Sequence, residues 1–220
     1  MQPEQYEAWY ATQRGRWIGD AEYRLLASLL AQNPGETLLD VGCGTGYFTR
    51  RFATDTADEN VVGADIDLDM LRFAGEHSAR NIDFVAADAR QLPFCDNSFD
   101  LVVSITALCF IQDDEQALRE MLRVARRRVV LGLLNRHSLL YLAKGRHGGR
   151  GAYLGARWHT TAEALSLFER LPVHQAGLGT AIVMSGSQHW SRRLEPLLHC
   201  WLPRYGAFIA VAADVRPVQS

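Results

Sequence analysis

Leu38-Leu39-Asp40-Val41-Gly42-Cys43-Gly44-Thr45-Gly46 is the stretch that decides the fold. A short apolar run stops at three closely spaced glycines, and Tyr47–Ala57 then takes up helical periodicity. Glycines there let the backbone turn sharply and come close to a ligand, while the helix that follows offers free N–H groups at its start. Further on, a second apolar run, Asn60–Ile66, ends near Asp65, whose carboxylate suits a pair of ribose hydroxyls. Asp40, just before the glycines, would repel a pyrophosphate but suits an ammonium or sulfonium charge. The spacing also departs from G-x-G-x-x-G, because Gly46 comes early and Tyr47 stands where a dinucleotide enzyme needs its last glycine. These signs point to a nucleotide-like ligand that is cationic and free of phosphate, and they disfavour a nicotinamide oxidoreductase.

Working outward, Ile82–Ala87, Phe99–Ile105 and Arg128–Leu134 read as further buried strands. Asp67–Ala79, with Asp67 as its N-cap, and Asp113–Arg126 read as helices. Four successive strand–helix–strand units between residues 37 and 134 predict an α/β fold with a doubly wound, mostly parallel sheet. Ligands of such sheets bind beyond the carboxyl ends of the strands, so the loops Gly42–Gly46, Asp65–Asp67, Asp88–Ala89 and Ile105–Phe110 matter most. Residues 4–32 carry aromatic and aliphatic side chains at helical spacing, with interruptions expected near Gly15 and Gly19 and a stop at Asn33-Pro34-Gly35. Asn135–Gly155 is basic and glycine-rich, a partly helical, mobile connection. Thr160–Arg170 reads as a capped helix, and the runs around Ala181–Ser185 and Ala207–Ala213 read as strands. A single domain is expected, with a helical cap over 1–34, a ligand-binding core over 35–134, and substrate-side helices and final strands over 135–220.

Composition narrows the function. The chain has 220 residues, 23 Lys+Arg against 25 Asp+Glu, a net charge of −2 and 48% hydrophobic residues. No overall positive field is available to hold a nucleic acid, and no apolar run is long enough to cross a membrane. The start, MQPEQYEAWY, lacks the basic and apolar regions of a secretory leader, so a cytoplasmic protein is expected. Cys43, Cys95, Cys109 and Cys200 form no CxxC pair, and the seven histidines form no ligand pattern, so no metal is expected. The run Arg126-Arg127-Arg128 is expected to be a solvated helix end beside the helix dipole.

With those residues in view, the chain resembles the class I S-adenosylmethionine-dependent methyltransferases, in particular the small-molecule group called methyltransferase type 11. LLDVGCGTG, VVGADIDLDML, VAADARQLPFCDNSFDLVVS and LREMLRVARR resemble that family's successive motifs over roughly residues 35–134. The family's Pro-Gly-Gly turn is replaced here by Ala125-Arg126-Arg127-Arg128. The resemblance implies a seven-stranded, Rossmann-like methyltransferase fold with an N-terminal helical lid, and S-adenosylmethionine as cofactor with S-adenosylhomocysteine as product. It implies that Asp65 binds ribose, Ile66 packs on adenine, Asp88 reaches the adenine amino group and the Ala89 backbone contacts the ring. Asp40, Gly42, Cys43, Gly44, Gly46, Met70 and Ile105 complete the expected cofactor site. If the N-terminal helix is a lid, Tyr6, Tyr10 and Arg14 contact the methionine carboxylate, with Arg14 as the bidentate partner.

The expected chemistry is in-line displacement of the methyl group by a small-molecule nucleophile, with the protein supplying proximity, alignment and exclusion of water. Trp9 and Phe110 are candidates for the substrate wall, and His137 or His159 for a general base if one is used. Lys144–Arg150 reads as a solvated loop in preference to a clamp for an anionic substrate. Neither nucleic acid nor membrane is an expected partner, and the chain is expected to be a monomer or homodimer. The rival reading is a catalytically silent cofactor-binding or assembly protein of the same fold, which would lack a closed pocket beside the methyl group. A nucleic-acid methyltransferase is weaker still, since Ser104-Ile105-Thr106-Ala107 stands where an amino-methylating enzyme has Asn/Asp-Pro-Pro-Tyr.

Overall fold

The computed structural model describes residues 2–56, 60–79, 82–169, 171–182 and 204–215. Its centre is a seven-stranded sheet built from β1 (Leu38–Val41), β2 (Val61–Asp65), β3 (Asp83–Ala86), β4 (Phe99–Ile105), β5 (Ala125–Leu134), β6 (Val173–Ala181) and β7 (Phe208–Val215), in the order β3-β2-β1-β4-β5-β7-β6. The pairs among β1 to β5 are parallel, and only β7 runs against its neighbours β5 and β6. The chain leaves β1 toward β2 and β3, then returns to lay β4 on the other side. The crevice at that reversal is where such a sheet binds ligands.

The near-continuous apolar strands are explained by helices on both faces. Successive side chains point to opposite sides, so Leu39, Val102, Val129 and Leu131 join one core with Leu118 and Met121 of α5 (Asp114–Val124). Leu38, Leu101, Val103 and Val130 join the other, with Leu26 and Leu30 of α2 (Gln13–Leu30) and Phe52 of α3 (Tyr47–Thr56). Each such fully buried leucine contributes about 1.5–3 kcal/mol relative to exposure. The other helices are α1 (Pro3–Ala11), α4 (Leu68–Glu76) and α6 (Thr161–Ser166). Asp67 caps α4 as expected, its Oδ1 accepting from the N–H groups of Asp69 and Met70.

Several expectations are corrected. The break in the N-terminal helices falls at Thr12, not at Gly15 and Gly19. The Thr12 hydroxyl donates to Trp9 O (2.7 Å) and accepts from Gly15 N (2.9 Å), closing α1 and opening α2 with one side chain. The glycines serve close approach instead. A Cβ on Gly15 would sit 2.0 Å from Trp9 O, and one on Gly19 2.6 Å from the Tyr47 hydroxyl. There are three strand–helix–strand units and not four, because residues 87–98 join β3 to β4 without a helix. Arg123 fastens that loop by donating to the carbonyls of Phe94 (2.8 Å) and Leu92 (3.0 Å) while pairing with Glu120 and Asp96.

The arginine run is no helix end either, for β5 already begins at Ala125. Arg127 pairs with Glu36 and donates to Ala31 O, and Arg128 pairs with Asp214 and donates to Leu29 O (2.7 Å). The two guanidinium groups thus satisfy the last carbonyls of α2, work that water would otherwise do. The strand expected around Ala181–Ser185 lies earlier, at Val173–Ala181, and Ile182 ends it with φ 67°. Residues 183–185 lie outside the described residues. Gly177 and Gly179 hide this strand from a hydrophobic pattern, and they admit Leu29 and Leu25 of α2, which a Cβ would meet at 2.9 and 2.7 Å. The helix expected over Thr160–Arg170 has its capping box at Thr160 and Glu163 but ends at Ser166.

Candidate functional site

Beyond the carboxyl ends of β1, β2 and β4 lies a cavity of about 1100 Å³. The glycine loop forms its floor. Gly42, Gly44 and Gly46 all have positive φ (77°, 54° and 75°). A Cβ on Gly42 would lie 2.1 Å from that of Ala107, so the loop after β1 and the loop after β4 touch backbone to side chain with no room for more. Asp65, at the end of β2, pins the loop. Its Oδ2 accepts from Gly44 N (2.7 Å) and its Oδ1 from Asp67 N (2.9 Å). Each oxygen keeps lone-pair capacity on the cavity side for a hydroxyl donor.

Asp40 sits behind the loop, 1% exposed yet part of the cavity lining. Thr49 donates its hydroxyl to Oδ2 (2.7 Å), while Oδ1 is buried and has no hydrogen-bond partner among the described residues. Burial pushes this carboxyl up to about 7, against the Thr49 hydrogen bond that lowers it and with the nearby Asp65 charge that raises it further. A buried acceptor left without a donor is costly. A ligand bearing an ammonium group would supply both the donor and the counter-charge, so the acid fits an amino-acid-like ligand end.

The remaining walls come from the strand ends. Ile66 and Met70 line the cavity, and Ile66 presents its side chain 68% exposed, an apolar surface suited to a flat ring. Asp88 and Ala89 line it too, but Asp88 is engaged by Arg90. The guanidinium donates to both carboxylate oxygens (Nε–Oδ1 3.0 Å, Nη2–Oδ2 2.6 Å), and Arg90 N donates to Oδ1 (2.9 Å). These contacts hold the Asp88 carboxyl down at about 2. An adenine amino group at Asp88 would share the carboxylate oxygens with Arg90. Ile105 and Phe110 line the same cavity, with Thr106 between them in a left-handed conformation (φ 59°), uncommon for a residue other than glycine.

A second cavity, of about 470 Å³, adjoins the first, and Tyr6, Ile105, Thr106 and Phe110 belong to both. Trp9, Tyr10 and Arg14 line this second space only. Tyr10 stacks on Tyr47 with ring centroids 3.8 Å apart, and the Tyr6 and Tyr10 hydroxyls stand 3.5 Å apart. Burial raises both phenols, Tyr6 to about 12. Helix α1 is fastened here through Glu7, which accepts from the Thr45 hydroxyl (2.7 Å) and pairs with Arg50 (2.5 Å).

Most of the expected cofactor residues therefore share one cavity: Asp40, Gly42, Cys43, Gly44, Asp65, Ile66, Met70, Asp88, Ala89, Ile105 and Tyr6. Gly46 turns the loop from outside it. Cys43 is half-buried in the cavity wall, and its thiol is pushed well up by desolvation, the opposite of an activated nucleophile. His137 and His159 line neither cavity. His159 is 4% exposed, and burial lowers its basicity. His189, His199 and Cys200 lie outside the described residues.

Sequence reasoning missed Glu7, Arg90, Thr106 and above all Glu22, which lines the second cavity. Its signal was available. Ile18, Glu22 and Leu26 are spaced by four on the buried stripe of α2, and a carboxylate in such a stripe is out of pattern. Lys144 and Arg150, read as a solvated loop, stand at the edge of the same cavity.

Residues 39–132 match the family model of a methyltransferase domain. A demethylmenaquinone methyltransferase of Renibacterium salmoninarum is 41% identical over 103 residues, covering 47% of this chain and 42% of that protein. A ubiquinone/menaquinone biosynthesis C-methyltransferase, UbiE, of Ectopseudomonas mendocina is 42% identical over 107 residues, covering 46% of this chain and 42% of that protein. The match thus spans less than half the length of either relative. An S-adenosylmethionine-dependent methyltransferase of Thermotoga maritima, described as a possible histamine N-methyltransferase, superposes with a TM-score of 0.73 at 21% identity, covering 97% of this chain and 96% of that one. That last likeness is one of fold.

Proposed function

We propose that this chain, whose residues 39–132 match the family model of a methyltransferase domain, moves a methyl group from S-adenosylmethionine to a small-molecule nucleophile. When bound, the cofactor supplies an already activated methyl group on a sulfonium centre. The protein's part is to hold, orient and keep water out. Asp65 accepts the ribose hydroxyls while keeping the glycine loop in place. Ile66, Met70 and the Ala89 backbone flank the adenine. Asp40 receives the ammonium group, and the Tyr6 hydroxyl, on the shared wall, faces the methionine end. Tyr10 and Arg14 belong to the acceptor side. Helix α1, fastened to the glycine loop through Glu7, acts as the lid, and residues 135–160 complete the acceptor side.

The observation that carries this reading is the buried, unpartnered Oδ1 of Asp40 in the wall of the cavity. Titration calorimetry with S-adenosylmethionine and S-adenosylhomocysteine tests it. Both should bind one per chain. Since an ammonium partner favours the ionised carboxylate, binding near pH 7 should release a proton, seen as a dependence of the heat on the buffer's ionisation enthalpy. Failure of both ligands to bind folded protein would sink the proposal. A catalytically silent protein of this fold is disfavoured by the second cavity, for such a protein has no need of a formed pocket beside the methyl group.

A further inference from the structure

The second cavity holds one polar group that the methyl-transfer reading leaves unused. Glu22 projects from α2 into a space walled by Tyr6, Trp9, Tyr10, Phe110 and Tyr153. Among the described residues nothing donates a hydrogen bond to its carboxyl and no cation pairs with it. Its remaining accessible surface faces the cavity, while dense protein around it withdraws it from bulk water. Tyr6 feels both this carboxyl and Asp40, and it lines both cavities. The facing ionisable groups are Tyr6 and Tyr10 from α1, Arg14 from α2, Tyr47 from α3, and Lys144, Arg150 and Tyr153 from the connection after β5. Arg14, Lys144 and Arg150 are all exposed and give the cavity a cationic rim.

Resting on the methyl-transfer reading, we propose that Glu22 is the proton acceptor for the methyl-accepting group, and that the acceptor is a phenol whose far end carries an anion held by Arg14, Lys144 and Arg150. Flat aromatic walls fit a planar ring, and the cavity is of a size for small molecules. Three rim cations repel an ammonium tail and attract a carboxylate or phosphate. Desolvation pushes the Glu22 carboxyl up to about 8. A phenol, which ionises near pH 10, lies about two units above that, within reach of transfer during the reaction, whereas an aliphatic alcohol lies far beyond it. In the balanced step, the acceptor oxygen bonds to the methyl carbon, the carbon–sulfur bond breaks with its electron pair kept by sulfur, and the hydroxyl proton passes to the Glu22 carboxylate.

Two probes with the same phenol and opposite tails test this: 3-(4-hydroxyphenyl)propionate and tyramine. Calorimetry on protein saturated with S-adenosylhomocysteine should detect the propionate and give at least tenfold weaker binding for tyramine. With labelled S-adenosylmethionine, methyl transfer to the propionate should rise with pH through about 8, as Glu22 ionises. Glu22→Gln should lower kcat at least about a hundredfold, leave KM within threefold and abolish that rise, while Glu22→Asp restores part of the rate. The proposal is overturned if tyramine is preferred, if neither probe binds or is methylated by protein that binds S-adenosylhomocysteine, or if Glu22→Gln keeps the wild-type rate and pH profile. Failure of wild-type protein to bind S-adenosylhomocysteine would instead overturn the methyl-transfer reading.

Discussion

The two adjoining cavities are built in different ways. The first is a backbone site. Its shape comes from three glycines at positive φ, from N–H groups pinned by Asp65, and from strand ends that the sheet order brings together. The second is a side-chain site. Its walls come from α1, α2, the end of β4 and the connection after β5, segments far apart in the chain whose pairing no local pattern announces. A cofactor that does not change can be served by fixed backbone. An acceptor can be changed by exchanging side chains on helices without touching the sheet. The two cavities should therefore fail differently when perturbed.

The largest effect is expected at Gly42. Alanine there meets Ala107 at 2.1 Å from a backbone with φ 77°. Left-handed backbone costs a residue with a Cβ about 1–2 kcal/mol, and overpacking adds about 1–3 kcal/mol. Gly42→Ala should therefore weaken S-adenosylhomocysteine binding by about thirtyfold or more by calorimetry, and Ala107→Gly in the same chain should recover part of it. No single substitution in the second cavity should reduce cofactor binding so far. Wild-type affinity in Gly42→Ala would show that the loop is softer than its geometry indicates.

The same contrast explains what could be read from the sequence. The apolar run ending in Gly42, Gly44 and Gly46, and the acids Asp40 and Asp65, are local signals, because turning a strand into a helix around a ligand needs those residues at that spacing. The sheet's parallel core was legible for the same reason. β6 was displaced in the expectation because Gly177 and Gly179 replace the apolar residues that mark a strand, and the need for glycine comes from Leu25 and Leu29, over a hundred residues earlier. The arginine run misled because its function is to satisfy carbonyls of α2, also remote in sequence. Glu22 went unseen because a carboxylate on a helix is normally at the surface; its spacing of four from Ile18 and Leu26 marked it as out of pattern, and the folded chain adds that it lines a cavity.

A second effect separates the two buried acids. Asp40 and Glu22 are both raised by burial, to about 7 and about 8. An acid whose folded pKa lies above its unfolded value stabilises the fold fully below the unfolded pKa, and that stability is lost as pH rises through the folded pKa. The unliganded protein should thus lose stability between about pH 4 and pH 8, on the order of 4 kcal/mol for each group. Asp40→Asn and Glu22→Gln should each remove part of that slope in urea midpoints measured across pH. Saturation with S-adenosylhomocysteine should remove the Asp40 part alone, since its ammonium pairs with Asp40. If it flattened the Glu22 part equally, the two cavities would be one electrostatic unit.

The smallest effect is expected at His159. Histidine is the usual general base, and this one lies close in sequence to the connection that edges the second cavity. Yet its ring lines neither cavity, and both ring nitrogens are buried with no hydrogen-bond partner among the described residues. Burial depresses its basicity, with nearby Asp114 opposing that shift only in part. Its backbone is what the fold uses, for His159 N donates to Leu134 O (2.8 Å) and its own carbonyl accepts from Arg136 N (2.8 Å), tying the end of β5 to the start of α6. Replacing His159 by Gln keeps those bonds and removes the imidazole. The rate of methyl transfer to 3-(4-hydroxyphenyl)propionate and its rise with pH should stay within twofold of wild type, where loss of a true base costs about a hundredfold or more. A large fall in kcat with unchanged cofactor binding would move the base from α2 to the segment after β5, and with it the face from which the acceptor approaches.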